Sequence, residues 1–269
     1  MKLIEPDFDR LRNEFNAEQF AYLIDSYRDG HTPLRCYASR AGRGALTALW
    51  DGSHCLFVGG ESSDLAEYDE TIAWLIDEIF GESVKRSLHA IKMMMANEGW
   101  RHRLSAAFGG CDSAFRRRTL YRHDRDSEPV RQSPAAEARV ERIDQRLWEQ
   151  PRLVHVERMY GEIDGMWGSR ERFLQYGFGY CAKDDEQVMG WCTSEYVSGT
   201  RCGIGIETVE SCQRQGVATG MTAAFLQHCA QAGITPYWDC WTDNTPSVKV
   251  AEKTGFSRIA EYEVLVVRL

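Results

Sequence analysis

Between 213 and 220 the sequence reads Gln-Arg-Gln-Gly-Val-Ala-Thr-Gly. These residue types at this spacing could receive a phosphate. Gly216 has no Cβ to keep an oxyanion away from the backbone. The first N–H groups of a helix lack partners inside it and carry the positive end of its dipole. A helix opening at Val217 would therefore offer bare amides to a pyrophosphate. Arg214 adds a permanent positive charge and a fork of donors suited to phosphate. The Lys-Ser/Thr pair of a P-loop is missing, and so is the G-x-G-x-x-G dinucleotide fingerprint.

Such a loop needs a strand to deliver it and a helix to leave it. Cys202-Gly203-Ile204-Gly205-Ile206-Glu207-Thr208 is a short apolar run fit for a strand. From Val217 the period changes: Met221, Ala224, Phe225 and His228 fall three or four apart, which predicts a helix. Gly233 reads as that helix's C-cap. Pro236-Tyr237-Trp238-Asp239-Cys240-Trp241 reads as a second strand, followed by Asn244, Ser247 and Ala251-Glu252-Lys253-Thr254-Gly255-Phe256.

Gln-Arg-Gln-Gly-Val-Ala fits the pattern Q/R-x-x-G-x-G/A, and the N-x-x-S … A-E-K-x-G-F ending accompanies it. Trp167, Phe173, Gly177-Phe178-Gly179 and Trp191-Cys192 lie upstream. On these residues the chain resembles the GNAT superfamily of acyl-CoA-dependent N-acetyltransferases, in a bacterial subfamily with an added N-terminal half. The resemblance spans roughly residues 140–269 and is loose before them. It implies an α/β (α+β) architecture. The C-terminal half would be a GNAT fold with a mixed, V-split central sheet flanked by helices, joined to a smaller N-terminal α/β module. The expected domains are a degenerate GNAT-like module over 1–125, a linker over 126–139 and the acetyltransferase domain over 140–269.

In that family the thioester arm of acetyl-CoA lies between two diverging parallel strands and pairs with the first as an added strand would. The resemblance then implies backbone contacts from Ile206 and Thr208. Gln213, Arg214, Gln215, Gly216, Val217, Ala218 and Thr219 would hold the pyrophosphate. Asn244 would hold the arm from the second strand's end, or be an ordinary turn residue. Acetyl-CoA is the expected co-substrate, with no metal.

Acetyl transfer to an amine requires the amine to lose a proton, the oxyanion to be held and the thiolate to leave. Many members use a tyrosine as the acid, at the position occupied here by Ala251. Ser247, one turn earlier, is the expected replacement as a donor toward sulfur; otherwise it belongs to the helix N-terminus. Asp239 is a candidate base, since members acting on protein amino termini keep a carboxylate there, or else a structural carboxylate. Glu207 is a second candidate, although it should point away from the arm if Ile206 and Thr208 face it. Histone-type members hold a glutamate where this chain has Cys202. Two classes of function remain open. One is an enzyme acetylating a small-molecule primary amine or a protein amino terminus by direct attack. The other is a non-catalytic CoA-binding or scaffold protein.

The rest of the chain bounds these readings. Hydrophobic residues make up 43% and aromatics 11% of the 269 residues, enough for a packed core. A formal net charge of −8 disfavours nucleic acid or an anionic membrane as the main partner and suits a cationic amine. No signal peptide or transmembrane run is evident, so the expected location is cytoplasmic. The nine cysteines form no C-x-x-C pair and read as small buried hydrophobes, Cys212 in the phosphate loop excepted. His228 and Met93-Met94-Met95 read as packing residues, and Arg116-Arg117-Arg118 as a solvated strand edge.

In the N-terminal half, residues 8–28 carry helical spacing. Asp51-Gly52 between Ala45–Trp50 and His54–Val58 signals a hairpin. A helix over 64–80 and strands at 84–91 and 119–121 complete a module with no such phosphate loop, expected not to bind cofactor. Beyond the linker, Val140, Ile143 and Leu147 predict a helix, a second follows Arg152, and a third covers 166–176. A hairpin is expected from Phe178–Ala182 and Gln187–Val197, and a terminal strand over 261–267. Whether the N-terminal half roofs the acceptor site or makes a homodimer is open.

Overall fold

The computed structural model describes residues 2–39, 46–60, 77–79, 81, 88–124, 139–149 and 153–269. They group in two units. One comprises Met1–Arg28, Pro33–Arg118 and Glu261–Leu269; the other comprises Asp29–Thr32 and Thr119–Ala260.

The first unit opens with β1 (Lys2–Leu3), α1 (Phe8–Glu14) and α2 (Glu18–Arg28). Asp7 caps α1 by accepting from Arg10 N at 3.1 Å. Strands β2 (Arg35–Ala38), β3 (Thr47–Trp50) and β4 (Cys55–Gly59) form an antiparallel run. The Asp51-Gly52 hairpin forms as expected: Gly52 takes φ 73°, and Asp51 accepts from Ser53 N at 2.8 Å and Cys55 N at 3.0 Å. Strand β5 (Ala90–Met95) lies parallel to β4, then α3 (Gly99–Ala107) and the start of β6 (Ser113–Arg122) follow. Trp50, Trp100, Ile91 and Leu265 share this unit's core. Residues 77–79 are helical, and the rest of the helix expected over 64–80 lies outside the described residues. The strand expected at 84–91 starts later, at Ala90, with residues 84–87 undescribed.

The second unit carries β7 (Arg139–Arg142), α4 (Gln145–Trp148), α5 (Val156–Trp167), α6 (Arg170–Tyr176), β8 (Gly179–Lys183) and β9 (Val188–Glu195). Then come β10 (Arg201–Thr208), α7 (Val217–Ala232), β11 (Thr235–Trp241), α8 (Thr245–Lys253) and the start of β12 (Ser257–Arg268). Its strands run in the order β6, β11, β10, β9, β8, β7, with β10 and β11 parallel and β7 to β10 antiparallel. The chain is thus a mixed α/β fold, its sheet flanked by helices as expected. Trp191, Phe173, Phe225 and Trp238 sit in this unit's core.

Two expectations change. Val140 lies in a strand, paired to Ala182, because Asp144 caps a separate short helix by accepting from Arg146 N and Leu147 N. The helix expected over 166–176 is two helices. The first ends at Gly168 in the left-handed region, and Ser169 starts the second by accepting from Arg172 N at 3.2 Å. Arg116 and Arg117 stand exposed on β6 and Arg118 half-buried, in keeping with the solvated position expected of them.

Candidate active site

Parallel strands β10 and β11 pair from Arg201↔Thr235 to Ile204↔Trp238, and there the recorded pairing stops. β10 runs on to Thr208 and β11 to Trp241. The opposite edge of β10 stays bonded to β9 as far as Thr208↔Gly190. A strand normally fills both edges inside a sheet. From Gly205 onward β10 therefore has one edge turned to a fork. Burial follows the pairing: Cys202, Gly203 and Ile204 are buried, whereas Gly205, Ile206, Glu207 and Thr208 are half-buried.

The loop leaving the fork is held by its own backbone. Val209 N donates to Met189 O at 2.9 Å, and a short 3-10 turn covers Glu210–Cys212. Gln213 Nε2 reaches Thr208 O at 3.4 Å and Gln215 Nε2 reaches Ser211 O at 3.0 Å. Gln213, Arg214 and Gln215 are exposed. Arg214 and Gly216 take φ of 62° and 85°. Gly216 precedes α7 with no side-chain cap, and the ladder opens with Gly220 N donating to Gly216 O at 3.0 Å. The amides of Val217, Ala218 and Thr219 precede that bond, so the helix ladder supplies them no partner.

Helix α8 stands over the end of β11. Asn244 is its N-cap, its side chain accepting from Ser247 N at 3.3 Å. Ser247 Oγ in turn accepts the indole N–H of buried Trp238 at 3.0 Å. Trp238 was not singled out in the sequence, where its spacing from Ser247 carries no periodic signal. Ala251, at the position of the family's tyrosine, is fully buried.

Alternation divides the remaining candidates. Ile204 pairs with Trp238, so Ile206 and Thr208 share Trp238's face of the sheet. Glu207 takes the other face with Gly203 and Gly205, and so does Asp239 beyond Tyr237. On that face Glu207 is ion-paired with Arg158 of α5 at 2.5 Å. Trp191, its cross-strand partner, donates its indole N–H to Glu162 Oε2 at 2.8 Å. Burial raises the Glu162 carboxyl above its usual range, opposed by the Trp191 hydrogen bond, and Glu207 pushes the same way. Arg158 and Glu162 also escaped the sequence reading, although a four-residue spacing places them on one helix face. The structure thus brings Asn244 and Ser247 together on one side of the fork. It puts Glu207 and Asp239 on the other.

Elsewhere, His228 stacks on Phe178 with centroids 4.1 Å apart, as a packing residue would. All nine cysteines are free thiols; Cys111 is exposed and the other eight, Cys212 included, are buried. Among the described residues no group of three or more His, Cys, Asp or Glu is arranged to hold a metal, and no helix is long and apolar enough to cross a membrane.

A family model described as GNAT acetyltransferase matches residues 21–265. The chain is 33% identical over 98 residues to an uncharacterized N-acetyltransferase, YdfB, of Bacillus subtilis. That match spans 36% of this chain and 38% of the relative's length. A GCN5-related N-acetyltransferase-like protein from Streptococcus suis superposes with a TM-score of 0.71 at 22% identity, covering 97% of this chain and 98% of that one. A Drosophila protein gives 0.65 at 13% identity, covering 98% of both chains. At these identities the two structures share the fold.

Proposed function

The chain belongs to the GNAT acetyltransferase family, and from that premise we propose that it moves the acetyl group of acetyl-CoA to a primary amine of a small molecule. The amine attacks the thioester directly, with no covalent enzyme intermediate. The observation that carries this reading is the fork: β10 loses its β11 partner after Ile204, next to a helix that begins at Gly216 without a side-chain cap. An extended thioester arm fits there as an added strand along Ile206 and Thr208. The amides of Val217, Ala218 and Thr219, with Gln213, Arg214 and Gln215 around Gly216, receive the pyrophosphate.

Ser247 is the acid in this reading. The Trp238 indole occupies a lone pair of its hydroxyl and leaves the O–H free to donate to sulfur. Asn244 spends its carbonyl oxygen on the cap and keeps its NH₂ for the arm. Carboxylates on the other face, Glu207 and Asp239 among them, favour a cationic acceptor. We assign transfer to residues 140–269 and no cofactor role to 1–125.

Incubating the protein with acetyl-CoA and polyamines, aminoglycosides, amino acids or peptide amino termini, and measuring CoA release, tests the reading. Release with a small amine is the expected result. Release with peptide amino termini alone would move the acceptor to protein. Acetyl-CoA binding without turnover on any amine would overturn transfer and leave a CoA-binding protein.

A further inference from the structure

On the face of β10 away from Trp238, two of three successive positions, Gly203 and Gly205, carry no side chain. Their cross-strand partners on β9 are Glu195 and Thr193. Glu195 leans along the sheet past its own partner. A Cβ built on Gly205 would lie 2.6 Å from Glu195 Oε1 and 3.2 Å from Thr193 Oγ1. The carboxylate therefore rests on bare backbone, in the volume a side chain at 205 would fill. Gly205 is also the first residue of β10 beyond its last pairing with β11. The carboxylate lies where the fork opens.

We propose that Glu195 is the general base that takes the proton from the acceptor amine, and that Gly205 is glycine to seat it. The assignment rests on the acetyl-transfer reading above and adds the residue which that reading lacks. The arrangement also separates two proton transfers. Ser247 approaches the fork from Trp238's face, and Glu195 from the other.

The step balances as follows. The ammonium gives one proton to the Glu195 carboxylate, and the freed nitrogen lone pair forms the C–N bond to the thioester carbonyl carbon. As the tetrahedral adduct collapses, the C–S bond breaks and sulfur takes the Ser247 hydroxyl proton. The surplus proton on the new amide nitrogen restores that hydroxyl through solvent, and Glu195 returns its proton to solvent. Acetyl-CoA and an ammonium become an amide, CoA and one proton.

The test compares two acceptors with the wild type and Glu195→Gln. Benzylamine is an ammonium at neutral pH and needs a base, whereas hydroxylamine is already a free amine. Glu195→Gln should lower kcat/KM about 10²- to 10³-fold with benzylamine, spare hydroxylamine within threefold and leave acetyl-CoA affinity unchanged. Gly205→Ala should reproduce the same pattern more weakly, because its methyl displaces the flexible end of Glu195 and not backbone. Full activity of Glu195→Gln with benzylamine, or equal losses with both acceptors, would overturn the assignment while transfer stands. Should the wild type decline benzylamine, the best ammonium acceptor of the panel above takes its place in the same comparison; a wild-type protein that binds acetyl-CoA but acetylates no amine at all would overturn transfer itself, and the assignment with it.

Discussion

Each unit contains a parallel pair of adjacent strands, β4–β5 in the first and β10–β11 in the second, and the two pairs end differently. In the first unit β4 pairs with β5 from Cys55↔Lys92 to Val58↔Met95, and Ala96 N still donates to Val58 O at 2.8 Å beyond the strand's end. Every residue of β4 is buried. In the second unit β10 and β11 part after Ile204↔Trp238 although both strands continue, and the rest of β10 is half-buried. A parallel pair bonded to its end gives an extended ligand no backbone to join. A pair that parts early offers one edge of β10, at the cost of hydrogen bonds that something else must make. That unmet demand is the reason for proposing the cofactor at β10–β11, whereas the described residues of β4–β5 stay bonded to the strand's end.

The most damaging way to break this contrast is Gly216→Glu. At φ 85° any side chain is strained by roughly 1–2 kcal/mol. The new carboxylate also faces the position assigned to the diphosphate. CoA affinity should fall at least about 100-fold, measured by calorimetry on protein whose circular dichroism is unchanged. Retained affinity would strip the fork of its functional meaning. Ser247→Ala comes next: kcat should drop about 100-fold while KM for acetyl-CoA stays within twofold. Unchanged turnover removes Ser247 from the mechanism. Trp238→Phe keeps an aromatic ring in the core, at the cost of a small void, and deletes one neutral hydrogen bond; that bond is worth about 1 kcal/mol, so about a fivefold loss in kcat is expected. In the Ser247→Ala background it should cost nothing further, since the two act as one unit. Additive losses would show that the indole acts on something other than that hydroxyl.

How far the sequence discloses this contrast depends on the range of the interaction that decides it. The switch from period two to period 3.6 at Val217, the Asp51-Gly52 turn and the Gly233 cap (φ 70°) are local, and each is legible. The depth of the fork is not, because the register at which β10 and β11 part is a property of two strands separated by a helix. Nor is the bond from Trp238 to Ser247, which depends on how α8 docks. Glu195 over Gly205 was half legible. A strand that spares two glycines on one face invites a close neighbour, but only the pairing with β9 says which. Residues 139–142 mislead for a different reason. Val140, Ile143 and Leu147 have helical spacing by coincidence, with a strand ending and a capped turn beginning between them. The single helix expected over 166–176 passes over Gly168-Ser169, where one helix is capped and the next begins.

The smallest effect on chemistry is expected at the β3–β4 hairpin of the first unit, which is also where acid sensitivity is concealed. Burial raises Asp51 from 3.8 to about 6, and burial lowers His54 from 6.5 to about 3, with Lys92 and Arg118 acting in the same direction on the histidine. The two shifts have opposite consequences for stability. Asp51 stabilises the fold most below its unfolded value and loses that contribution as pH rises through about 6. His54 stabilises it above its unfolded value and loses that contribution as pH falls from 6.5 toward 3. Between about pH 4 and 6 the folded hairpin holds its proton on Asp51, while the unfolded chain holds one on His54, so proton counts match and stability is flat. Asp51→Asn keeps an acceptor oxygen for Ser53 N and Cys55 N but removes the compensation. Its stability to urea should fall by about 1.4 kcal/mol per pH unit below 6.5, with acetyl transfer at neutral pH equal to wild type. A flat profile in the variant would mean that His54 is protonated in the folded hairpin. A loss of transfer would mean that the first unit contributes to the chemistry that the fork is assigned alone.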